Sequence, residues 1–302
     1  ENYTLIAEAR EILWSDINSS SSYTGSIFYN KTDITKFDEF EYFTGLSKIP
    51  YGCFYGCENL ESIKLPPNIK EIEGDAFSTM QAGGGAKITN LVIPEGVEKI
   101  NYYAFLGCTH LEHISLPSTL KEIGSFKYAK NLKSINIPKG LVLKEVGGTT
   151  KLPEQGTEVS IVVDADHPTL CSVNNVVYTK DMKQIIACRY STKGQRFEVP
   201  EGVTTLYDGA FYGQLFSEII LPSSLVEIQT AALAFNALQT LVSFAPYIPT
   251  VHSYAFGGVE SNFAGRDNYN KGTNKLHIPL NATGYDTGAW LDPLQNPQRC
   301  GF

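Results

Sequence analysis

The sequence lacks the features that mark membrane-spanning and nucleic-acid-binding proteins. No stretch approaches the roughly 18 consecutive apolar residues of a membrane span. Lysine and arginine number 24 against 32 acidic residues, and the net charge of −8 comes without a basic run. An acidic chain of this kind does not suit a phosphate backbone. We therefore expect no membrane-spanning segment and no nucleic-acid partner.

Motifs for catalysis and metal binding are also missing. No CxxC, HExxH or GxSxG occurs, and the run Gly83–Gly85 lacks the Gly-Lys-Ser/Thr of a phosphate loop. Asp164, Asp166 and His167 could bind a metal, but Asp and His just before a proline commonly make turn hydrogen bonds. We predict no catalytic residue, no metal site and no cofactor, so the chain is not expected to be an enzyme.

What the sequence does have is an internal repeat. A clear copy holds a Leu-x-x-Ile-x-Leu-Pro segment, a second apolar pair and a step of one small and one aromatic residue, and other copies are weaker. Pro94 and Pro117 are 23 residues apart and Pro117 and Pro138 are 21 apart, within the leucine-rich range of about 20–29 residues. Clear copies of the first segment are Leu60–Pro66, Leu111–Pro117 and Leu132–Pro138.

The repeat dictates a stacked architecture. Alternating apolar residues face one side of a short strand, which ends at the proline because proline cannot donate the next hydrogen bond. The second apolar pair forms an opposite wall, and the aromatic residue fills the space between the walls. One turn cannot bury its apolar side alone, so neighbouring turns stack with parallel strands and right-handed connections. The sequence predicts a right-handed leucine-rich-repeat solenoid, mainly β with short turns and 3-10 segments.

The pattern (I/L)P-x-x-(L/V)-x-x-I-x-x-x-AF-x-GC-x-x-L-x-x-I resembles the BspA-type leucine-rich repeat. It recurs about eight times over roughly residues 44–280. The lead-in Phe37–Gly45 and the tail Ala282–Trp290 are similar to the segments that flank such repeats. That family occurs in bacterial surface proteins, notably of Bacteroides and treponemes, and the resemblance implies adhesion to host extracellular proteins or to neighbouring cells.

Three regions follow from the repeat. Residues 1–46 are predicted to be a small α-helical N-terminal cap and lead-in, residues 47–280 the repeats, and residues 281–302 a C-terminal cap, because terminal turns need covering. The stretch 141–198 abandons the period, and we interpret it as an insertion of extra strands with a turn at Lys180–Lys183.

The caps are predicted from apolar spacing. Residues 3–16 have apolar positions at helical intervals, and residues 36–46 could form a second helix. At the other end, Tyr285, Trp290 and Leu294 are expected to cover the final turn.

Most cysteines have core positions in the repeat. Cys53 and Cys57 could form a reactive couple, but Cys57 shares its repeat position with Cys108, and both are interpreted as small core side chains. A disulfide between Cys171 and Cys188, across the irregular stretch, is an open alternative in an exported chain.

Outward positions on the first strand of each copy are the candidate binding surface. They should form two parallel rows on one face, where repeat proteins usually bind, although plain solvated strand surface is the alternative for any single residue. The ten residues are Ser62, Lys64, Asn90, Val92, His113, Ser115, Ser134, Asn136, Glu218 and Ile220.

Seven tyrosines lie near the aromatic core positions. Some are expected to pack between turns, and others could stack on sugars or anchor a protein partner. They are Tyr51, Tyr55, Tyr102, Tyr103, Tyr207, Tyr212 and Tyr254.

The leading hypothesis is a non-enzymatic interaction protein that is secreted or held at the outer cell surface. Its expected partner is a host extracellular-matrix or surface protein, and a glycan bound by exposed tyrosines and a purely structural spacer are the alternatives. No secretion signal precedes Glu1, as in a mature or trimmed chain. A lipid anchor on a removed N-terminal segment is one way to hold it there.

Overall fold

The structure consists of short strands joined by turns, with one 3-10 helix, Asp38–Tyr42, among the residues described. Among all the residues that the structure describes, no helix could span a membrane. The chain forms two compact units: unit 1 holds Glu1–Lys144, Lys151–Glu154 and Val159–His167, and unit 2 holds Glu145–Thr150, Gln155–Glu158 and Pro168–Phe302. The structure is a computed structural model that describes residues 26, 28–78, 85–124, 126, 129, 131–143, 159–189, 194–214, 216–234, 238, 240–252, 255–256 and 275–283.

Unit 1 is a stack of turns in which each turn adds one strand to each wall. All strand pairs in it are parallel. The described strands are β1 (Lys36–Phe37), β2 (Lys48–Ile49), β3 (Ser62–Ile63), β4 (Glu71–Ile72), β5 (Asn90–Val92), β6 (Lys99–Ile100), β7 (His113–Ser115), β8 (Glu122–Ile123), β9 (Ser134–Ile137) and β10 (Ser160–Val163). They form the sheets β1-β3, β2-β4-β6-β8 and β5-β7-β9-β10.

Unit 2 repeats this plan after an antiparallel start. Its described strands are β11 (Leu170–Val173), β12 (Val176–Thr179), β13 (Gln184–Cys188), β14 (Arg196–Glu198), β15 (Thr205–Leu206), β16 (Glu218–Leu221), β17 (Glu227–Ile228), β18 (Thr240–Ser243), β19 (Thr250–Val251) and β20 (Lys275–His277). They form the sheets β11-β12-β13-β15-β17-β19 and β14-β16-β18-β20. Strands β11, β12 and β13 are antiparallel, and the turn at Lys180–Lys183 joins β12 to β13.

Burial follows the predicted alternation. In β5 and β7 the central Leu91 and Ile114 are buried between exposed neighbours. On the other wall of unit 1, Ile72, Ile100 and Ile123 are buried in register. The leucine-rich-repeat solenoid predicted from the sequence is thereby confirmed.

A column of phenylalanines runs between the walls of unit 1. Successive rings stack with centroid distances of 5.2, 5.4, 5.5 and 5.9 Å and interplanar angles of 13° or less. The spacing is close to the separation of about 4.8 Å between neighbouring strands, so one ring per turn fills the interior. The column consists of Phe28, Phe54, Phe77, Phe105 and Phe126.

The prediction of a second α-helix at residues 36–46 is wrong. This segment forms β1 and then the 3-10 helix. Phe37, Phe40 and Phe43 recur every third residue, and side chains three apart eclipse in a 3-10 helix. Their ring centroids lie 5.3, 5.1 and 5.9 Å apart, so this period brings the three rings together. Outside the described residues lie the predicted helix 3–16 and the capping residues Tyr285, Trp290 and Leu294.

Candidate binding surface

The outward side of sheet β5-β7-β9-β10 carries the predicted rows, and we call it the sheet face. In the first row, Asn90, His113, Ser134 and Ser160 are in register across four strands. In the second row, Val92 is in register with Ser115, and Asn136 with Val162. The structure therefore aligns six of the ten predicted residues on one sheet.

Sequence reasoning missed Ser160 and Val162. Both lie on β10, which pairs with β9 across a longer chain separation than β7 has from β9. The alternation in Ser160–Val163 was a usable signal, but the broken period hid its place in the stack.

Two residues of the sheet face also stabilise it. The Nδ1 atom of His113 lies 2.7 Å from the Ser134 hydroxyl. The amide of Asn136 donates to the Leu116 carbonyl and its oxygen accepts from the Leu116 N–H, both at 2.9 Å. Because β7 ends at Ser115, the Asn136 side chain extends the inter-strand hydrogen bonding by one residue.

Apolar side chains lie at both edges of the sheet face. Val92 is 70% exposed and Val162 is 60% exposed. Next to the first row, Lys133 donates to Glu112 at 2.6 Å, and this hydrogen bond holds the pKa of Glu112 below its ordinary value. Glu112 and Lys133 are therefore paired with each other, while Val92 and Val162 present apolar surface to water.

Two predicted residues, Ser62 and Lys64, lie at the start of unit 1 on or just after β3. The Ser62 hydroxyl donates to Asp38, and Lys64 forms an ion pair of 3.3 Å with Glu41. Hydrogen bonding by Glu41 raises the pKa of Lys64. Both side chains are thus engaged with the 3-10 helix.

The remaining predicted residues, Glu218 and Ile220, lie on β16 in unit 2. Glu218 is half-buried and in register with Arg196 and Thr240. The assignment of Ile220 as an outward residue open to a ligand is wrong, because its side chain is only 4% exposed. Its position is a middle strand, in register with Glu198 and Val242 on both sides, and alternation alone did not reveal that it is covered.

The tyrosines divide into packed and exposed members. Tyr55 is buried and stacks on Tyr29 with centroids 5.6 Å apart. Tyr207 and Tyr212 are half-buried, and burial raises the pKa of Tyr207. Tyr254 lies outside the described residues. Tyr102 and Tyr103 are 48% and 46% exposed. Together with the half-buried Tyr51, they form a second surface that we call the tyrosine edge.

Four of the five cysteines that the structure describes are buried core residues, and Cys171 is half-buried. Cys53, Cys57 and Cys108 are buried and free, as predicted. Burial raises the pKa of Cys57 to about 11 and that of Cys108 to about 12. Cys171 and Cys188 form no disulfide with each other, since β12 lies between their strands, so the alternative of a disulfide between them is wrong.

The segment from Asp164 to His167 forms a turn. Asp164 accepts a hydrogen bond of 2.8 Å from the Asp166 N–H, and Nε2 of the buried His167 lies 3.0 Å from the Leu141 carbonyl oxygen. These contacts engage the Asp164 carboxylate and the His167 ring, whereas Asp166 takes part through its backbone N–H. Across the described ranges, no group of three or more His, Cys, Asp and Glu side chains could hold a metal ion.

Comparison with known proteins agrees with this geometry. The family model described as "BspA type Leucine rich repeat region" matches residues 21–144 and 169–263 in six copies. Among curated proteins, none matches the sequence.

Two solved structures share the fold. The pneumococcal vaccine antigen PcpA is 19% identical, with a TM-score of 0.53, over 79% of this chain and 61% of that chain. A leucine-rich repeat protein from Eubacterium ventriosum is 21% identical, with a TM-score of 0.53, over 78% of this chain and 68% of that chain. The chain thus spans 61% of the length of the antigen's chain. At these identities the likeness shows the fold.

Proposed function

This chain belongs to the BspA-type leucine-rich repeat family, and we propose that it is a non-enzymatic binding protein of the cell surface or the extracellular space. The family suggests a binding or adhesion role and a surface location. The partner we propose is a protein, either of a host's extracellular matrix or of a neighbouring cell's surface. The binding surface we propose is the sheet face.

The observation that carries the proposal is the exposure of Val92 and Val162 on the two edge strands of a parallel sheet. Exposed apolar side chains beside groups that can hydrogen-bond offer a partner both kinds of contact. Between the two valines lie Ser115 and Asn136, whose short side chains leave the face open to close approach. A partner would therefore gain apolar burial at the two edges and hydrogen bonds at the centre.

The sheet face supplies only the centre of such an interface. Four strands spaced about 4.8 Å apart span about 14 Å. A stable protein interface buries about 800 Å² on each partner. The flanking turns, with the Glu112–Lys133 pair, must then contribute the rim.

The His113–Ser134 contact does not argue for catalysis. A serine activated by a histidine works in a site that excludes water and holds preorganised donors. Here His113 is exposed on an open sheet, and Ser134 is half-buried. We assign this pair to recognition or to sheet stability.

Surface plasmon resonance against a panel of purified extracellular-matrix proteins tests the proposal. We expect at least one to bind, and the double variant Val92→Lys, Val162→Lys to weaken binding about tenfold or more, because charge at an apolar contact is costly to desolvate. Val226→Lys is the matched control, since Val226 is 61% exposed and lies in unit 2. It should bind as the native chain does.

Two results would contradict the proposal. The first is no binding to any protein of the panel, which would favour the structural spacer. The second is unchanged binding by the double valine variant, which would move the site away from the sheet face. Antibody labelling of intact cells tests the location separately, and a chain found only after permeabilisation would exclude surface display.

A further inference from the structure

The tyrosine edge has a regular construction across three turns of unit 1. The pairing of Lys48, Glu71 and Lys99 places Tyr51, Gly74 and Tyr102 at the same position in consecutive turns. Two strand spacings separate Tyr51 from Tyr102, about 10 Å along the stack. The position between them is a glycine, so no side chain divides the two tyrosines.

The glycine is favoured by close contacts. A Cβ atom on Gly74 would lie 3.2 Å from Cε2 of Tyr51 and 3.1 Å from the Tyr102 carbonyl oxygen. The ring of Tyr51 therefore lies against the Gly74 backbone, on the side of Tyr102. Aromatic surface and backbone alternate along this edge.

Tyr103 occupies a strained backbone position. In several turns, the residue before the small member of the small-aromatic step has a positive φ. In unit 1 these residues are Gly52 (61°), Asp75 (54°) and Tyr103 (62°). Glycine adopts this conformation freely and Asp tolerates it, whereas a bulky residue is a genuine outlier there. The ring of Tyr103 remains 46% exposed. Strained backbone positions cluster at functional sites.

The two exposed rings form a steeply inclined pair. Tyr102 and Tyr103 have centroids 5.9 Å apart and an interplanar angle of 69°. A flat ligand can stack on one ring while its edge contacts the other ring. The face of an aromatic ring is electron-rich, so it attracts the slightly positive C–H groups on the flat side of a pyranose sugar.

The charges beside the tyrosines are paired with one another. Lys48 is bonded to Glu73, and Lys99 lies 3.4 Å from Glu122. The Asn101 amide donates to Glu71. This edge thus presents no block of one sign to attract a charged ligand, and it offers amide, carboxylate and ammonium groups that hydrogen-bond well to hydroxyls.

We propose that the tyrosine edge binds a neutral polysaccharide, with pyranose rings stacked on Tyr102 and Tyr103 and the chain continuing past Gly74 to Tyr51. The regular backbone positions of Tyr51, Gly74 and Tyr102 suit a ligand that is itself a repeat. This site lies apart from the sheet face in its residues and does not depend on the proposed protein binding.

Affinity gel electrophoresis with soluble neutral polysaccharides tests the site, using β-glucan, arabinoxylan, galactomannan and glycogen, with polygalacturonate as the charged comparison. We expect at least one neutral polymer to retard the native chain. Tyr102→Ala and Tyr103→Gly should each weaken that binding about tenfold, the loss of one stacking contact. Tyr42→Ala is the matched control, because Tyr42 is 50% exposed in the same unit, and it should bind normally.

Tyr103→Gly separates binding from folding. It removes the ring and also the backbone strain, so its stability in urea should equal or exceed that of the native chain. Retardation by no neutral polymer, or by polygalacturonate alone, would overturn the proposal. Unchanged binding in Tyr102→Ala and Tyr103→Gly would overturn it as well. A matrix protein whose binding is lost in Tyr102→Ala, with no polysaccharide bound, would reassign the edge to protein recognition.

Discussion

The two units fill the same interior position in different ways. In unit 1 each turn supplies a phenylalanine, and the rings stack from Phe28 to Phe126. In unit 2 the position is taken by Cys188, Phe211 and Leu233, whose backbone N–H groups donate to the next turn at Ala210, Ala232 and Ala255. Phe54 and Phe77 donate in the same way to Ala76 and Ala104. The turn geometry is kept although the side chain changes.

In unit 2, aromatic rings beside the column supply volume to the core. Phe197 and Phe216 contact Phe211 with centroids 5.1 and 6.1 Å away, at steep angles. These rings bring aromatic volume into a core whose column holds a cysteine and a leucine. The comparison teaches that the backbone hydrogen bonds define the turn, whereas the interior side chains need only fill the space between the walls.

The column of unit 1 should be the most sensitive place in that unit. Phe77→Ala removes a fully buried ring between two stacked neighbours, and we expect a loss of about 4 kcal/mol in the free energy of unfolding. Urea denaturation followed by circular dichroism measures it. Val142→Ala, at an exposed position, should change stability by less than about 0.5 kcal/mol. A loss below about 1 kcal/mol for Phe77→Ala would show that the column can collapse around a cavity.

Exchanging the column residues tests whether the position is interchangeable between the units. Leu233→Phe should cost about 1–3 kcal/mol because it adds volume to a closed site, and Phe77→Leu about 1.5 kcal/mol because it leaves a gap. The same urea titration applies to both. If neither variant changed the free energy of unfolding, phenylalanine and leucine would be interchangeable at this position in both units, which contradicts the prediction.

The positive-φ position offers a matched pair within unit 2. Gly209 has φ 62° and Ala231 has φ 55°. Gly209→Ala should lose about 1 kcal/mol and Ala231→Gly should gain a similar amount or less, because only the alanine is strained. Changes of the same sign would mean that neighbouring packing, and not the backbone, decides the residue at this position.

The smallest effects should come from exposed carboxylates. Hydrogen bonding to Lys121 lowers the pKa of Glu98 in unit 1, and hydrogen bonding to the Ser223 hydroxyl lowers that of Glu201 in unit 2. A lowered folded-state pKa stabilises the fold above the ordinary glutamate pKa, and the contribution is lost as the pH falls. NMR titration should show that 1 M salt raises the pKa of Glu98 more than that of Glu201, because salt screens the charged partner. Equal responses would contradict this.

Sequence reasoning recovered the interior better than the surface. The repeat identified the stacked walls and the aromatic position between them. The rows of the sheet face were found without Ser160 and Val162, and Ile220 was assigned to the wrong environment. The predicted boundaries at residues 46 and 280 stay predictions.

The sequence by itself determined which side chains face inward, because a period of two along a strand and one aromatic per turn are local patterns that hydrophobic burial enforces directly. Only the tertiary structure decided which turns lie side by side and what covers each outward residue. Register across a broken repeat, the pairing of Tyr102 with Tyr103 and the burial of Ile220 all depend on contacts between distant segments, which no local pattern encodes.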